Sequence, residues 1–435
     1  MSGPSGPVPH PGDPAAITSG AVPHPDDPAA ITSGPAPHPD APAETASGAV
    51  PHPDDPAATA SGAVPHPDGP AAITSRAVPH PGDPAAITSG AVPHPVGLAE
   101  IASGAAALTL DAAGAPRHPL VVVDLGRNEW RHAEAAIEAL RGRTVVTVGI
   151  ADRPLPVAAA PLLEALTCTL APGGPGGAWV AGSPVDLKAI AATVAAAPRA
   201  ALTLAGLLDL TARASVTDGL TAESLAYSML LAAPEFAAWR ARTPRRPIPE
   251  PADPVLLDRT GDVLTLTLNV PERHNAFGRA VRDALLNGLA VAEHDPSIRE
   301  VVLRGNGRSF CSGGDLDEFG TATDPVAAHL VRLRQSAAAA IHRLGDRVRV
   351  EVHGACIGAG VEIPSFAARI RARPDARFRL PELGMGLVPG AGGTVGITHR
   401  IGRWRTAYLA LTGQPIDAAT ALEWGLIDEL TDGEP

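Results

Sequence analysis

The sequence predicts an α/β protein whose C-terminal part is built from repeated ββα or βα units. Three observations lead to this fold class. A Pro-rich repeat occupies the first quarter, short β-branched runs alternate with Ala-rich stretches from about residue 104, and two later glycine turns fall where strands lead into helices. The predicted segments are a disordered repeat at 1–103, a smaller α/β-plus-helical region at 104–246, a linker at 247–254 and an α/β core at 255–435.

The composition excludes some function classes. Of the 435 residues, 45% are hydrophobic, and the formal net charge is -12. This balance argues against nonspecific nucleic-acid binding, which needs Lys and Arg to neutralise phosphates. The chain has no run of about 18 apolar residues and no signal-peptide layout at its N-terminus, so we expect no membrane association.

Cysteine usage indicates a reducing compartment. Cys168, Cys311 and Cys356 are widely spaced and form no CxxC pair. They fit neither a disulfide framework nor a cysteine metal site. We therefore expect a cytoplasmic protein without a bound metal.

The N-terminal repeat has a period of 14 residues, and its unit reads roughly SGAVPHPDDPAAIT. Its prolines remove hydrogen-bond donors that helices and sheets need, which predicts a disordered or extended chain. One histidine per unit lies between prolines with no second type of metal ligand nearby, so a spacer is the favoured interpretation over metal binding. These are His10, His24, His38, His52, His66, His80 and His94. A translation start placed too far upstream is the other interpretation, and mass spectrometry of the native N-terminus distinguishes the two.

Residues 104–246 open with a βαβ-like pattern. Two β-branched runs, 121–125 and 144–148, flank a helical stretch at 134–140. Apolar spacing then predicts helices throughout 185–242, and the Pro-rich stretch that follows predicts a linker.

The core at 255–435 begins with a strand at 263–268, a helix at 279–293 and a second strand at 301–303. The two glycine turns follow, and each leads into a helix. A third strand is predicted at 377–380, just before Pro381 and Glu382. The order of elements indicates ββα or βα units rather than an all-β or all-α domain.

The two glycine turns and two nearby glutamates carry the chemical signal. Gly314 and Ala359 precede helices, where unpaired N–H groups and a partial positive charge favour an anionic oxygen. Glu362 falls in the first turn of the second of these helices, and Glu382 follows Pro381 at the end of a strand. Each residue alone has a structural explanation, but two carboxylates can act together as general acid and base on one water.

In combination these motifs resemble those of the crotonase, or enoyl-CoA hydratase/isomerase, superfamily over residues 263–430. The resemblance rests on PERHNAF (271–277), FCSGGDL (310–316), HGACIGAGVE (353–362), FRLPE (378–382), GLVPGAGGT (386–394), LTG (411–413) and EWGLID (423–428). It implies a crotonase-like spiral core of ββα repeats.

The resemblance also implies a reaction. Family members use the backbone N–H groups at the positions of Gly314 and Ala359 as an oxyanion hole for a thioester carbonyl. Hydratases of the family use glutamates at the positions of Glu362 and Glu382 to add water to a 2-enoyl-CoA. The expected product is a 3-hydroxyacyl-CoA, with no cofactor beyond the CoA of the substrate itself. The sequence does not say which glutamate is the acid and which the base.

Substrate contacts and assembly follow from the same resemblance. The corresponding family loops hold CoA, which here points to Arg273, His274, Ala276 and Ser312. A homo-oligomer, a trimer or hexamer, is expected. The alternatives are an enoyl-CoA isomerase, another crotonase-type acyl-CoA enzyme, or a catalytically weak acyl-CoA-binding protein.

The sequence departs from the family pattern in four ways. Ala359 replaces a glycine, Pro364 interrupts the helix that carries Glu362, Ala368 stands where an aspartate is frequent, and the helical tail usual after residue 428 is lacking. Residues 186–211 and then 218–239 resemble the final helices of the family. We therefore expect 104–246 to be a degenerate crotonase-like unit whose helices complete the core, and the alternative is an independent helical domain.

Overall fold

The structure is a computed structural model that describes residues 91–142, 145–248 and 250–431. The predicted disordered repeat lies outside these residues except for its last part. There the prediction of disorder for 1–103 is wrong between 91 and 103, because Val96 pairs with the strand that contains Val123 and a short helix buries Leu98 and Ile101. The last repeat unit differs from the others by placing Leu98 where they have proline, which permits the helix.

Thirteen α-helices occur in the described residues. They are α1 (Leu98–Ala102), α2 (Ala133–Leu140), α3 (Ala160–Ala165), α4 (Pro184–Ala196), α5 (Pro198–Thr211), α6 (Val216–Leu231), α7 (Pro234–Arg242), α8 (Arg279–His294), α9 (Pro325–Arg334), α10 (Ala337–Leu344), α11 (Ala359–Glu362), α12 (Gly393–Thr412) and α13 (Ala418–Trp424).

Twelve strands occur in the same part of the chain. They are β1 (Leu120–Asp124), β2 (Val146–Ile150), β3 (Cys168–Leu170), β4 (Val255–Thr260), β5 (Val263–Leu268), β6 (Glu300–Gly305), β7 (Val348–Val352), β8 (Ala355–Ile357), β9 (Arg369–Ala372), β10 (Arg377–Arg379), β11 (Ile416–Asp417) and β12 (Glu429–Leu430).

The upstream region contains a small parallel sheet and four successive helices. Strands β1, β2 and β3 lie in that order, and all three are largely buried. Helices α4 to α7 occupy the stretch 185–242 that was predicted to be helical throughout. Prolines at the first positions of α4, α5 and α7 set the starts of those helices, since proline fits the first turn of a helix but not its interior.

The core is the α/β arrangement that the sequence predicts. Six strands form a mainly parallel sheet in the order β12-β9-β7-β6-β5-β4, and β11, β10 and β8 form a second sheet beside it. Strand β5 has the predicted bounds, whereas β4, which pairs with it antiparallel, was not predicted. Because β8 and β10 are adjacent parallel strands, the residues that follow them come together at one edge of the second sheet.

The upstream helices pack against the core, so they do not form the independent helical domain of the alternative prediction. Helices α4, α5 and α6 all contact α12, and the described residues form one compact unit. The hydroxyl of Thr211 donates a hydrogen bond of 2.6 Å to the backbone oxygen of Thr394. The prediction that this region is a degenerate crotonase-like unit stays a prediction.

No single helix in the described ranges is long and apolar enough to cross a membrane. Helices α4 and α5 meet the length and composition requirement only as a pair, which is bent by 110°.

Helices α6 and α12 approach each other closely at Gly219. A methyl group added at Gly219 would lie 2.9 Å from a methyl carbon of Val395, which is itself fully buried. We expect Gly219→Leu to lower the free energy of unfolding by about 1–3 kcal/mol, because the helix would have to move away from α12.

Gly206→Leu is the matched control for this variant. Gly206 lies in α5 with nothing within 4 Å of an added methyl group, so its substitution should leave stability unchanged or raise it through better helix propensity. Chemical denaturation of both variants measures the difference. Equal stabilities would mean that the contact between α6 and α12 is not tight.

Candidate active site

A cavity of about 920 Å³ lies between the core and the upstream helices. Its walls include both predicted glycine turns, both predicted glutamates and faces of α6 and α9. The structure therefore brings together Gly314, Ala359, Glu362 and Glu382, although they are up to 68 residues apart in sequence.

Two backbone N–H groups are free to bind an oxygen inside this cavity. The N–H groups of Gly314 and Ala359 donate to no acceptor within the described part of the chain. Gly314 is held in place by its neighbours, because Phe277 bonds to Gly313 and Asp315 on either side of it. Ala359 is the first residue of α11, where a helical N–H has no partner in its own helix.

Gly358 creates the space that the site requires. Its φ of 51° lies in the left-handed region, which turns the chain sharply from β8 into α11. A methyl group added there would lie 2.5 Å from Oε1 of Glu382 and 3.7 Å from Oε1 of Glu362. Both carboxylates therefore face the same point beside the N–H group of Ala359.

The two glutamates differ in how they are held. Oε2 of Glu362 accepts hydrogen bonds from the N–H groups of Ala391 (2.8 Å) and Gly393 (3.0 Å). Glu382 opens a single 3-10 turn after β10, and its buried Oε2 has no hydrogen-bond partner among the described residues.

Burial raises the pKa of both carboxyl groups. For Glu362 desolvation raises the pKa to about 7, although the N–H groups it accepts from act in the opposite direction. For Glu382 desolvation, followed by the nearby charge of Glu362, raises the pKa well above its usual range. Glu382, which accepts fewer hydrogen bonds than Glu362, is thus the carboxyl group that holds a proton more readily.

Proline at 364 changes the local structure without displacing the glutamate. The predicted helix after Ala359 is only one turn long, because Pro364 cannot continue it and instead starts a 3-10 turn at Pro364–Phe366. Glu362 occupies the last position of that short helix and remains 2% exposed.

A third buried glutamate, Glu223 of α6, lines the same cavity and was not predicted. Its carboxylate accepts hydrogen bonds from the N–H of Gly392 (2.7 Å) and from the N–H (2.8 Å) and hydroxyl (2.7 Å) of Thr394. Desolvation and the nearby Glu362 raise its pKa to about 8, opposed by these donors.

Glu223 and Glu362 bind alternate N–H groups of one segment, which comprises residues 390–394. Each carboxylate therefore fixes the loop that the other one uses. The sequence contains a weak signal for this residue. Glu223 lies one helical turn after Gly219 and on the same face of the helix. A glycine there permits close packing against another element, and a charged residue on a closely packed face is unusual.

The four predicted substrate-binding residues do not line this cavity. The guanidinium of Arg273 is paired with Asp315 (2.7 Å) and Asp317 (2.9 Å), which holds the loop after β5 against the first glycine turn. Ser312 donates its N–H to the backbone oxygen of His274, and Ala276 bonds back to Arg273. A role of these residues in holding CoA stays a prediction.

The α/β core, the pair of free N–H groups and the adjacent carboxylates together define a protein of the crotonase superfamily. Residues 258–434 match the family described as enoyl-CoA hydratase/isomerase, and the chain belongs to that family.

Individual relatives catalyse different reactions. The chain is 35% identical over 176 residues to the 2,3-dehydroadipyl-CoA hydratase of Escherichia coli K12, covering 40% of this chain and 68% of the relative. It is also 35% identical over 177 residues to the 1,2-epoxyphenylacetyl-CoA isomerase of the same organism, covering 40% and 67%. A crystal structure of enoyl-CoA hydratase from Thermoplasma volcanium GSS1 shares 31% identity and a TM-score of 0.39, covering 41% of this chain and 72% of that one.

Proposed function

We propose that the protein adds water to a 2-enoyl-CoA and forms a 3-hydroxyacyl-CoA. The observation that carries this proposal is the pair of carboxylates, Glu362 and Glu382, facing one point beside the free N–H group of Ala359. Hydration needs one group to accept a proton from water and another to deliver a proton to carbon, and two carboxylates with different hydrogen-bonding environments supply both.

The thioester carbonyl would accept hydrogen bonds from the N–H groups of Gly314 and Ala359. These fixed donors stabilise the enolate oxygen more than the neutral carbonyl oxygen, so they lower the barrier rather than only increasing affinity. Because Ala359 is buried, little solvent competes for an oxygen bound at its N–H group, which strengthens the effect.

Glu362 is the better general base and Glu382 the better general acid. Glu362 accepts two N–H groups, which favour its ionised form, and takes a proton as the water oxygen bonds to C3. Glu382 has an unpartnered oxygen, and burial together with the nearby charge of Glu362 raises its pKa well above the usual range, so it carries the proton that is delivered to C2 of the enolate. After product release Glu362 gives its proton to solvent and Glu382 takes one from solvent, which restores both groups.

The test is an assay with a panel of 2-enoyl-CoA thioesters. Loss of the absorbance of the conjugated thioester, together with a product heavier by one water, is the expected result. Isomerisation would change the double bond without the gain in mass, and calorimetric binding of acyl-CoA without turnover would identify a binding protein. Either of these results would replace hydration with one of the alternative functions.

The activity should depend on pH in a defined direction. Because Glu362 has to be ionised to accept a proton and its pKa is about 7, we expect kcat/KM to rise as the pH increases through neutrality. At higher pH the rate should fall again as Glu382 loses its proton, since its pKa is raised well above the usual range. Initial rates between about pH 5 and pH 9 measure the profile. A profile that is flat across neutrality would contradict the assignment of Glu362 as the base.

A further inference from the structure

The cavity has a polar cluster on the side formed by α6 and α9. Arg332 of α9 lies over the ring of Tyr227 from α6, with its guanidinium carbon 4.6 Å from the ring centroid. Ser224 and Ser228 lie one helical turn apart on α6, and both bond to Arg332 and complete this cluster.

The guanidinium is hydrogen-bonded only to neutral groups. Its Nε donates to Oγ of Ser224 (3.3 Å), and its Nη2 donates to the backbone oxygen of Ser224 (3.5 Å) and to Oγ of Ser228. No carboxylate lies within ion-pair distance of it in the described ranges, and its Nη1 has no hydrogen-bond partner there.

The other arginines of the cavity are different. Arg343 pairs with Glu293 (2.9 Å), Arg282 with Asp283 (2.8 Å) and Arg279 with Glu318 (3.7 Å). Arg332 is therefore the one cavity-lining arginine of the described residues whose charge no neighbouring carboxylate pairs with. Partial burial of such a cation is unfavourable unless a ligand supplies the missing anion.

The position of the cluster indicates which part of a ligand it meets. The ring of Tyr227 packs against Gly390, at the start of the segment that holds Glu362 and Glu223. One aromatic ring thus separates Arg332 from the carboxylates at the reacting carbons. The phosphates of CoA are kept away from those carbons by the whole pantetheine arm, so the end of the acyl chain is the part that reaches Arg332.

The nearby Glu223 does not satisfy this charge. Its oxygens are already occupied by Gly392 and Thr394 and lie outside hydrogen-bond distance of Arg332. A ligand carboxylate can bind a guanidinium through two parallel hydrogen bonds, a geometry that lysine or a neutral donor does not offer.

We propose that Arg332 binds a carboxylate at the far end of the acyl chain, so that the preferred substrate is an enoyl-CoA monothioester of a dicarboxylic acid. That the acyl group is an enoyl group rests on the proposed hydration. Recognition of the terminal carboxylate by Arg332 requires only that the thioester binds. The hydroxyl groups of Ser224 and Ser228 hold the guanidinium in place for that contact.

The test compares two thioesters of equal chain length that differ only at the end, trans-2-hexenedioyl-CoA and trans-2-hexenoyl-CoA. The wild-type chain should show kcat/KM at least about tenfold higher for the acid, the size of one charge-assisted hydrogen bond. Arg332→Gln should remove this preference mainly by raising KM for the acid, and it should leave the neutral thioester within about threefold of wild type.

Arg343→Gln is the matched control, because Arg343 lines the same cavity but is paired with Glu293. It should leave the ratio between the two thioesters unchanged. If neither enoyl thioester is hydrated, calorimetry with the saturated pair, adipyl-CoA and hexanoyl-CoA, measures the same preference as a difference in affinity. A failure of the proposed hydration can therefore be distinguished from a failure of the proposed carboxylate recognition.

Two results would overturn the inference. One is a wild-type protein that binds or converts the neutral thioester as well as the acid. The other is an Arg332→Gln variant that weakens both thioesters by the same factor, because that would place Arg332 on the CoA phosphates that the two share.

Discussion

Glu382→Gln should lower kcat by about two to four orders of magnitude, the range for loss of a positioned general acid. Glutamine has nearly the same shape as glutamate but cannot deliver a proton to C2. Because Oε2 of Glu382 has no partner among the described residues, the substitution breaks no hydrogen bond of that oxygen. The effect should therefore appear in turnover and not in stability, as measured by steady-state kinetics and thermal unfolding of the same preparation.

Glu318→Gln is the control for this variant. Glu318 also lines the cavity, but its carboxylate accepts the N–H of Arg279 (2.9 Å) and lies beside the guanidinium of that residue. Its substitution should change kcat only a few-fold. Near-normal turnover by Glu382→Gln would remove Glu382 from the mechanism, whereas equal losses in both variants would indicate a general effect of charge in the cavity.

Glu223→Gln should damage both stability and turnover. The amide can accept the N–H of Gly392 through its oxygen, but its NH2 group would then face the N–H of Thr394, which is also a donor, and the Thr394 hydroxyl would have to turn round to accept. We expect the free energy of unfolding to fall by about 2–4 kcal/mol, as for other broken buried networks, and kcat to fall about tenfold or more. Disorder of residues 390–394 would release the N–H groups that hold Glu362.

Asp218→Asn separates this effect from a general change in α6. Asp218 lies on the same helix, where its exposed side chain bonds to Ser215, so its substitution should cost well under 1 kcal/mol and leave turnover intact. Chemical denaturation and steady-state kinetics measure both properties. If Glu223→Gln behaves like Asp218→Asn, the upstream helices support the fold without setting the geometry of the site.

The parts of the site that the sequence predicted are those defined by local chain geometry. The prediction of a helix directly after Gly314 is wrong, because turns occupy 316–320 and the next helix, α9, begins at Pro325. Ala359 stands in the predicted turn between β8 and α11, and such turns have a sequence signature that does not depend on distant residues. Strand β5 was predicted with its observed bounds for the same reason, since its period-2 pattern and flanking turn residues are all local.

The parts that were missed depend on tertiary contacts. Glu223 looks like an ordinary helical residue, and only the packing of α6 on α12 reveals that it is buried. The pairing of Arg273 with two aspartates was not predicted, because they come 42 and 44 residues later in the sequence. Strand β4 was not predicted because most of its residues are exposed at the edge of the sheet and it lacks a continuous apolar pattern.

The packing of α4, α5 and α6 on α12 has a consequence for biosynthesis. A ribosome makes the upstream helices first, yet the surface they cover belongs to residues 393–412, which are synthesised long after them. Apolar residues of α5 therefore stay unprotected while most of the core is translated, and pairing across such a sequence distance is slow. We expect the nascent chain to need a chaperone until α12 has left the exit tunnel.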